Sequence, residues 1–455
     1  KKRPVKKVLL WLLALLFLVV AIADVYITRN FNQILTDALM KSFNSSVVSD
    51  IYELQFEKLR VNLLNGDIRV VNVTFRPRQK PLHDYPYINS SIRLVTHKIK
   101  LENVKIMDLV KNGKLELKRI VIDKPEIEVS LNGEAHKFLP YKEASAVRDT
   151  SVNRNKKFLT AFSLEEFQLI DASFHILNSF KDRELKVQEL NISLNDLKID
   201  QQTGLDFIAV NKVALKINEI AGSMKSGGFR TLMLNDISLN VLALEIRKST
   251  DTLIFKYSGF DTGLKNLSMD TKDSIYNVSF QSFAISRDKS SINIRAFKFK
   301  PNLSQSELLK REKYQKAQFS VSVGSLDLVN VNFDTLLYHR KLYAAEIKID
   351  NVDVSLFKDK SKPVDKKKFP EYLGQQITKI PIPMAVKKVS VSAVSLMNTE
   401  KKEDGKMANV SIQRGKLTAR NVTNMDKSGS LMLNASAYIE NKVLVTIAAL
   451  YSYST

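Results

Sequence analysis

The sequence predicts a mainly β protein: an N-terminal transmembrane helix, then an elongated, strongly curled antiparallel β-sheet forming a lengthwise hydrophobic groove, with few short helices. Three observations predict it. A long apolar run opens the chain, and short alternating segments rich in Val, Ile, Leu, Phe and Thr follow from about residue 51. One of these segments also occurs twice. IKLENVKIMDLVKNGKLELKRIVIDKPEIEV, ending at Val129, is answered 227 residues later and without a gap by LDLVNVNFDTLLYHRKLYAAEIKIDNVDVSL. Ile99, Leu101, Val104 and Ile106 correspond to Leu326, Leu328, Val331 and Phe333. Leu115, Ile120, Ile122, Ile127 and Val129 correspond to Leu342, Ile347, Ile349, Val354 and Leu356. Upstream, Ile68, Val70 and Phe75-Arg76-Pro77 match Ile292, Ile294 and Phe299-Lys300-Pro301. The repeat keeps its apolar positions and shares no polar cluster, which specifies a surface rather than a catalytic centre.

The apolar run extends from Val8 to Ala23 and continues through Val25, Tyr26 and Ile27. At about 20 residues it is long enough to cross a hydrocarbon core of about 30 Å. Trp11 and Tyr26 sit near its two ends, and Lys1, Lys2, Arg3, Lys6 and Lys7 precede it, placing the N-terminus in the cytoplasm and the body across the membrane. The rival reading is a cleaved signal peptide, with Ala21-Ile22-Ala23 as the processing site. Residues 1–28 are therefore expected to be an anchor. Residues 29–45 carry Phe31, Ile34, Leu35, Ala38, Leu39 and Phe43 at helical spacing. They predict an amphipathic helix that lies on the membrane, plugs the end of the following sheet, or does both.

Beyond the helix we expect a first β-groove repeat over 46–227, connecting strands over 228–279 and a second repeat over 280–424. Residues 425–455 are expected to begin a C-terminal β region that the sequence cuts short. Short helices are expected near Ser304–Gln315 and Pro370–Ile380, the second after a basic connector at Lys358–Lys368, and a polar loop at Arg148–Lys157. Asn65-Gly66, Asn112-Gly113, Asn132-Gly133, Gly227-Gly228 and Asp404-Gly405 mark turns.

Spacing within the strands carries the most information. Leu115, Leu117, Ile120, Ile122, Pro125, Ile127 and Val129 fall at intervals of two, three, two, three, two and two. Leu342, Ala344, Ile347, Ile349, Val352, Val354 and Leu356 repeat the same intervals. A strand that steps by three keeps one face inward only if an extra residue bulges out or the chain turns a corner. Bulges raise twist and coiling, hence the curled sheet. The residues expected to line the groove are Ile99, Leu101, Val104, Leu115, Leu117, Ile120, Ile122, Ile127 and Val129 in the first copy. In the second they are Val321, Val323, Leu326, Leu328, Val331, Leu342, Ile347, Ile349, Val352 and Val354. Lys, Glu, Asn, Asp and Ser lie between them, so the other face is wet. The apolar side needs a second sheet, its own curl or lipid as cover; a β-sandwich is the ordinary alternative.

Chemistry-bearing constellations are missing. The five histidines, His83, His97, His136, His175 and His339, stand apart in sequence, and Glu165-Glu166 would point to opposite faces of a strand. No phosphate-cradling glycine loop, nucleophile elbow or calcium loop is present, and with no Cys there is no thiolate metal site. No enzyme, metal or cofactor is expected. The charge of +22 comes from Lys and Arg spread along the chain, a pattern suited to an anionic membrane surface and not to nucleic acid.

The order of parts resembles the AsmA-like superfamily of envelope proteins. KLRVNLLNGDIRVVNVTFRP, the Lys114–Val129 strand phrase and the closing GSLMLNASAYIENKVLVTIAAL carry the resemblance, which covers most of the chain but rests on hydrophobic patterns. A visible C-terminal docking segment is missing. The resemblance implies a bridge-like lipid transfer protein held in the inner membrane with its body in the periplasm. It would passively conduct phospholipid toward the outer membrane, with envelope partner proteins at the distal end. Two other classes stay open: a scaffold assisting outer-membrane protein assembly, and a purely structural repeat protein. An unbroken apolar face, exposed strand edges and a self-filled core, respectively, distinguish the three.

Overall fold

The computed structural model describes residues 32–453 except 34, 38, 42, 63, 106–107, 109–113, 140–160, 201–206, 226–227, 249–252, 366–375, 378 and 426–428. The expected anchor, the polar loop and most of the second expected helix lie outside these residues. Among the described residues no helix is long and apolar enough to cross a membrane. The chain forms two compact units: residues 1–216 with 241–258, and residues 217–240 with 259–455. Both are built almost wholly of strands.

In unit 1, β1 (Tyr52–Gln55) and β2 (Lys58–Asn62) both pair with β3 (Asp67–Pro77). Next come β4 (Ser90–Glu102), then β5 (Lys114–Asp123) and β6 (Glu126–Leu131), both antiparallel to β4. β5 and β6 form one line broken at Lys124-Pro125, where the proline has no N–H for the ladder. They run parallel to β7 (Ala161–Asn178), which pairs antiparallel with β8 (Arg183–Asp200). β9 (Phe207–Met224) and β10 (Phe229–Lys248) carry residues of both units, and β11 (Leu253–Lys256) pairs with the end of β10.

Unit 2 contains β12 (Gly259–Thr271), β13 (Tyr276–Ser286), β14 (Ser291–Pro301), helix α1 (Gln305–Arg311), β15 (Gln318–Val329), helix α2 (Phe333–His339) and β16 (Leu342–Asp359). β17 (Met384–Lys401), β18 (Met407–Thr423), β19 (Ser430–Ile439) and β20 (Val443–Ser452) complete it. Each strand pairs antiparallel with the next except β16 and β17, which are parallel. The expected all-antiparallel sheet is thus corrected to a mixed one. Parallel neighbours need a crossover of about a dozen residues or more, and the long connections 132–160 and 360–383 supply it in the two copies.

The sequence repeat is a repeat of backbone. Left-handed residues recur in pairs: Gly66 and Ser290, Asn72 and Ala296, Asn103 and Asn330, Lys124 and Asn351, Asp171 and Ala393, all with φ between 48° and 66°. The Arg78 N–H donates to the Ile51 carbonyl and Asn302 N–H to Ile275, both at 2.8 Å; Val104 to Gly66 and Val331 to Ser290 repeat at 2.8 Å. Tyr52 stacks on Phe75 at 4.6 Å, and Tyr276 on Phe299 at 4.5 Å. Each tyrosine hydroxyl also accepts a backbone N–H from the strand beyond, Ile92 at 3.2 Å and Phe319 at 3.5 Å. The repeat therefore reaches back to Ile51 and Ile275.

The three-residue steps are bulges, as the spacing requires. In unit 2 the register leaves one residue unpaired at the same level of successive strands, and Asn266, Ala296, Asn351, Ala393 and Arg414 take left-handed φ there. Gly324 occupies this level on β15, where a Cβ would sit 2.9 Å from that of Asn351, so only glycine fits. At Leu101–Val104 and Leu328–Val331 the chain instead leaves the strand through a left-handed asparagine. A left-handed L-residue costs about 1–2 kcal/mol. Ala393→Gly is therefore expected to leave stability unchanged or raise it by up to about 1 kcal/mol, and Ala393→Val to lower it by about 2 kcal/mol. Urea titration of both variants checks this; a glycine variant weaker than the valine variant would refute the assignment of strain.

Candidate functional site: the apolar faces of the repeats

Cross-strand partners share a face, so the register shows what the candidate residues build. In unit 2, Leu264, Phe283, Ile294, Leu326, Ile349, Val391, Leu417, Ala435 and Ile447 form one row across nine strands. Met269, Val278, Phe299, Val321, Val354, Leu396, Ile412, Ile439 and Val443 form another beyond the bulges, with Val323 and Val352 paired between the two. A third row runs from Ile285 through Ile292, Leu328, Ile347, Val389, Ala419 and Leu433. Unit 1 repeats the design over fewer strands. Val70, Ile99, Ile122, Leu169 and Ile192 make one row, and Ile68, Leu101, Ile120, Phe167 and Leu194 the next. Leu94, Ile127 and Phe174 make a further row, beside Ile92, Val129 and Ile176.

These rows are unevenly covered. At one end of the unit 2 rows, Leu328 and Val331 are fully buried in a cluster with Phe333, Val386, Ala419 and Leu431, against which Leu326, Leu342, Ile347, Leu336 and Ile377 pack. Val104 and Leu117 are likewise buried with Leu164 in unit 1, flanked by Leu101 and Ile120. These candidates belong to filled core. Ile99, Ile122, Ile127, Val129, Val321, Val323, Ile349, Val352 and Val354 stay only half-buried and outside both clusters. Among the described residues nothing buries them as deeply as a sandwich core is buried. The Leu115 backbone pairs with Phe162, and its side chain lies outside the described residues.

Helix α2 was not legible in the sequence, where Phe333 read as one more strand position. Its signal is Asn332, whose side-chain oxygen caps the Thr335 N–H at 2.9 Å. α1 matches expectation, with Ser304 and Glu307 forming a reciprocal cap and Leu308 buried. Of the helix expected at 29–45, the described residues from 32 to 44 are helical. Phe43 meets the Phe75 ring edge-on, and the Asn32 side chain accepts the Val61 N–H at 2.6 Å. Both contacts join the helix to the sheet's first strands.

The opposite face is charged and paired. Arg119 meets Glu166 at 2.6 Å across the β5–β7 parallel step. At the equivalent place Glu346 meets Lys388 at 3.0 Å across β16–β17, so the ion pair persists with its polarity reversed. The sequence comparison missed it because neither residue type is retained. Lys388, then the Ser390 hydroxyl at 2.8 Å, hold the Glu346 carboxyl below its ordinary range.

Set against known proteins, the chain matches no family model and no curated protein. Its chemistry is read from its own residues. Among the described residues no group of His, Asp and Glu could hold a metal ion. An opening of about 740 Å³ at one end of the unit 2 strands is lined by Tyr343, Lys387, Met425 and Tyr453, among others.

Because the folded pKa of Glu346 is depressed, the stability it lends is present above the usual glutamate range and fades as pH falls through the lowered value. Glu346→Lys places like charges opposite each other and is expected to lower stability by about 1 kcal/mol. Adding Lys388→Glu should restore it by recreating the Arg119–Glu166 polarity. Denaturation of the single and double variants checks this, and a double variant no better than the single one would refute the pairing.

Proposed function

We propose that the protein is a bridge-like lipid transfer protein: anchored in the inner membrane with its body in the periplasm, it lets phospholipid acyl chains slide along the apolar faces of its repeats toward the outer membrane. The observation that carries this reading is the set of apolar rows, unbroken across nine strands yet only half-buried along much of their length. Exposed apolar area on this scale signals an occupant. Nine strands at about 4.8 Å extend over about 40 Å, more than the hydrocarbon thickness of a bilayer, about 30 Å. Each methylene kept from water is worth about 0.8 kcal/mol, so contact with the wall offsets much of the cost of leaving a membrane. The charged outer face keeps the same strands soluble.

A scaffold that assists outer-membrane protein assembly is the second reading.

Photocrosslinking in cells with the probe at Ile127 and, separately, at Glu128 separates the readings. Phospholipid adducts at Ile127 and none at Glu128 are expected; adducts at neither would refute the conduit. Ile122→Asp and Ile349→Asp put a carboxylate on a half-buried apolar face and are expected to cut lipid transfer about tenfold or more, while far-UV circular dichroism stays unchanged. Full transfer by both folded variants would also refute it.

A further inference from the structure

We infer that one end of unit 2 is a docking surface for a membrane containing anionic phospholipid. Leu337 is 52% exposed, Tyr338 49%, Ile382 48%, Tyr343 40% and Ile380 38%. Hydrogen bonds tie their segments into one patch. The Leu342 N–H donates to the Pro383 carbonyl at 2.8 Å, and the Asn424 amide donates to the Ile380 and Ile382 carbonyls, each at 3.0 Å. The Asn424 side-chain oxygen accepts the Met384 N–H at 2.7 Å. These are well-held loops on a buried base, since Phe333 and Met384 beneath them belong to the unit 2 core.

Charge identifies the partner. Arg340, Lys341 and Lys387 lie among these side chains, and the acids described beside them are held by other cations, Asp334 on α2 by Arg287 at 3.3 Å and Glu346 by Lys388 at 3.0 Å. Arg340, Lys341 and Lys387 are exposed around the aliphatic and tyrosine side chains. Aliphatic side chains to enter the acyl boundary, tyrosines suited to the headgroup level and exposed cations around them are what an anionic bilayer surface binds. An acidic protein would meet the cations but leave five exposed apolar side chains unmatched. The patch is independent of the conduit: it could dock on a bilayer whether or not lipid moves along the apolar rows.

The chain has no cysteine, so a single one can carry an environment-sensitive dye in the full chain. The dye is placed through Leu337→Cys or Ile382→Cys, with Lys406→Cys in the β17–β18 turn as the control. Each labelled chain is used once its thermal melt matches that of the unlabelled protein. Added phosphatidylglycerol vesicles should brighten the dye at 337 and 382 about threefold or more, leave the control unchanged, and exceed phosphatidylcholine vesicles severalfold. Arg340→Glu with Lys341→Glu should abolish most of that response. The dye reports insertion of the patch itself, so membrane entry by the N-terminal run does not mimic it. No response at either position, equal responses to the two lipids, or an equal response at the control would each overturn the assignment, whatever the adducts at Ile127 show.

Discussion

Everything in this fold depends on one constraint: strands whose apolar residues step by three must still present one face. Side chains alternate strictly along a strand, so an uncorrected step would turn Val321 and Phe299 to the charged side and bring lysines and aspartates inward. Placing several such groups wrongly on every strand would cost several kcal/mol per strand. A left-handed residue costs about 1–2 kcal/mol, and less where it is asparagine or aspartate. The bulge is the smaller cost, which explains why it survives even at Ala296, Ala393 and Arg414, whose side chains offer no relief. Because neighbours carry the extra residue at the same level, hydrogen-bonded pairing resumes beyond it without loss of register.

The same requirement explains what the sequence reveals. Apolar spacing is the direct imprint of the ladder, so the rows through Ile99 and Ile349, the bulges at Asn351 and Lys124, and the capped helix at Gln305–Arg311 were legible from residue order alone. Strand direction was not. A strand reads the same in parallel and antiparallel pairing, and only the length of connections 132–160 and 360–383 hints at crossovers. Tyr52 and Tyr276 were overlooked for a related reason. Each acts through one ring stack and one hydroxyl contact to a strand about forty residues away in sequence, and a lone tyrosine carries no periodicity.

Polar positions drift between the copies within limits. Arg119–Glu166 and Glu346–Lys388 share neither residue at either place, yet both set opposite charges across the parallel step. Partly exposed pairs contribute little stability, so the identity of each partner is weakly constrained. Like charges directly opposite are penalised, so the sign relation is retained. A change at one position favours a compensating change at its neighbour, and reversal of the pair is the natural endpoint. The outer face can therefore diverge freely while still helping to hold β16 against β17.

The apolar side has no such freedom, and its incomplete cover is the feature that most needs a physical reason. Where α2 and Ile377 fold over the rows, the chain fills its own core and buries Leu328 and Val331. It could have covered Ile349 and Val354 the same way, yet the described residues leave them half-buried. A face kept open against the hydrophobic effect makes sense if its occupant comes and goes. Continuous apolar rows suit such an occupant: a chain displaced by one strand, about 4.8 Å, exchanges one apolar contact, mostly Ile, Leu, Val or Phe, for another. Binding energy then varies little with position, and the proposed ligand is retained along the face without being trapped at any point. A pocket with directed polar groups would hold one lipid more tightly and pass it on more slowly. Among the described residues the middle rows are made of apolar side chains, the chemistry that the proposed motion along them requires.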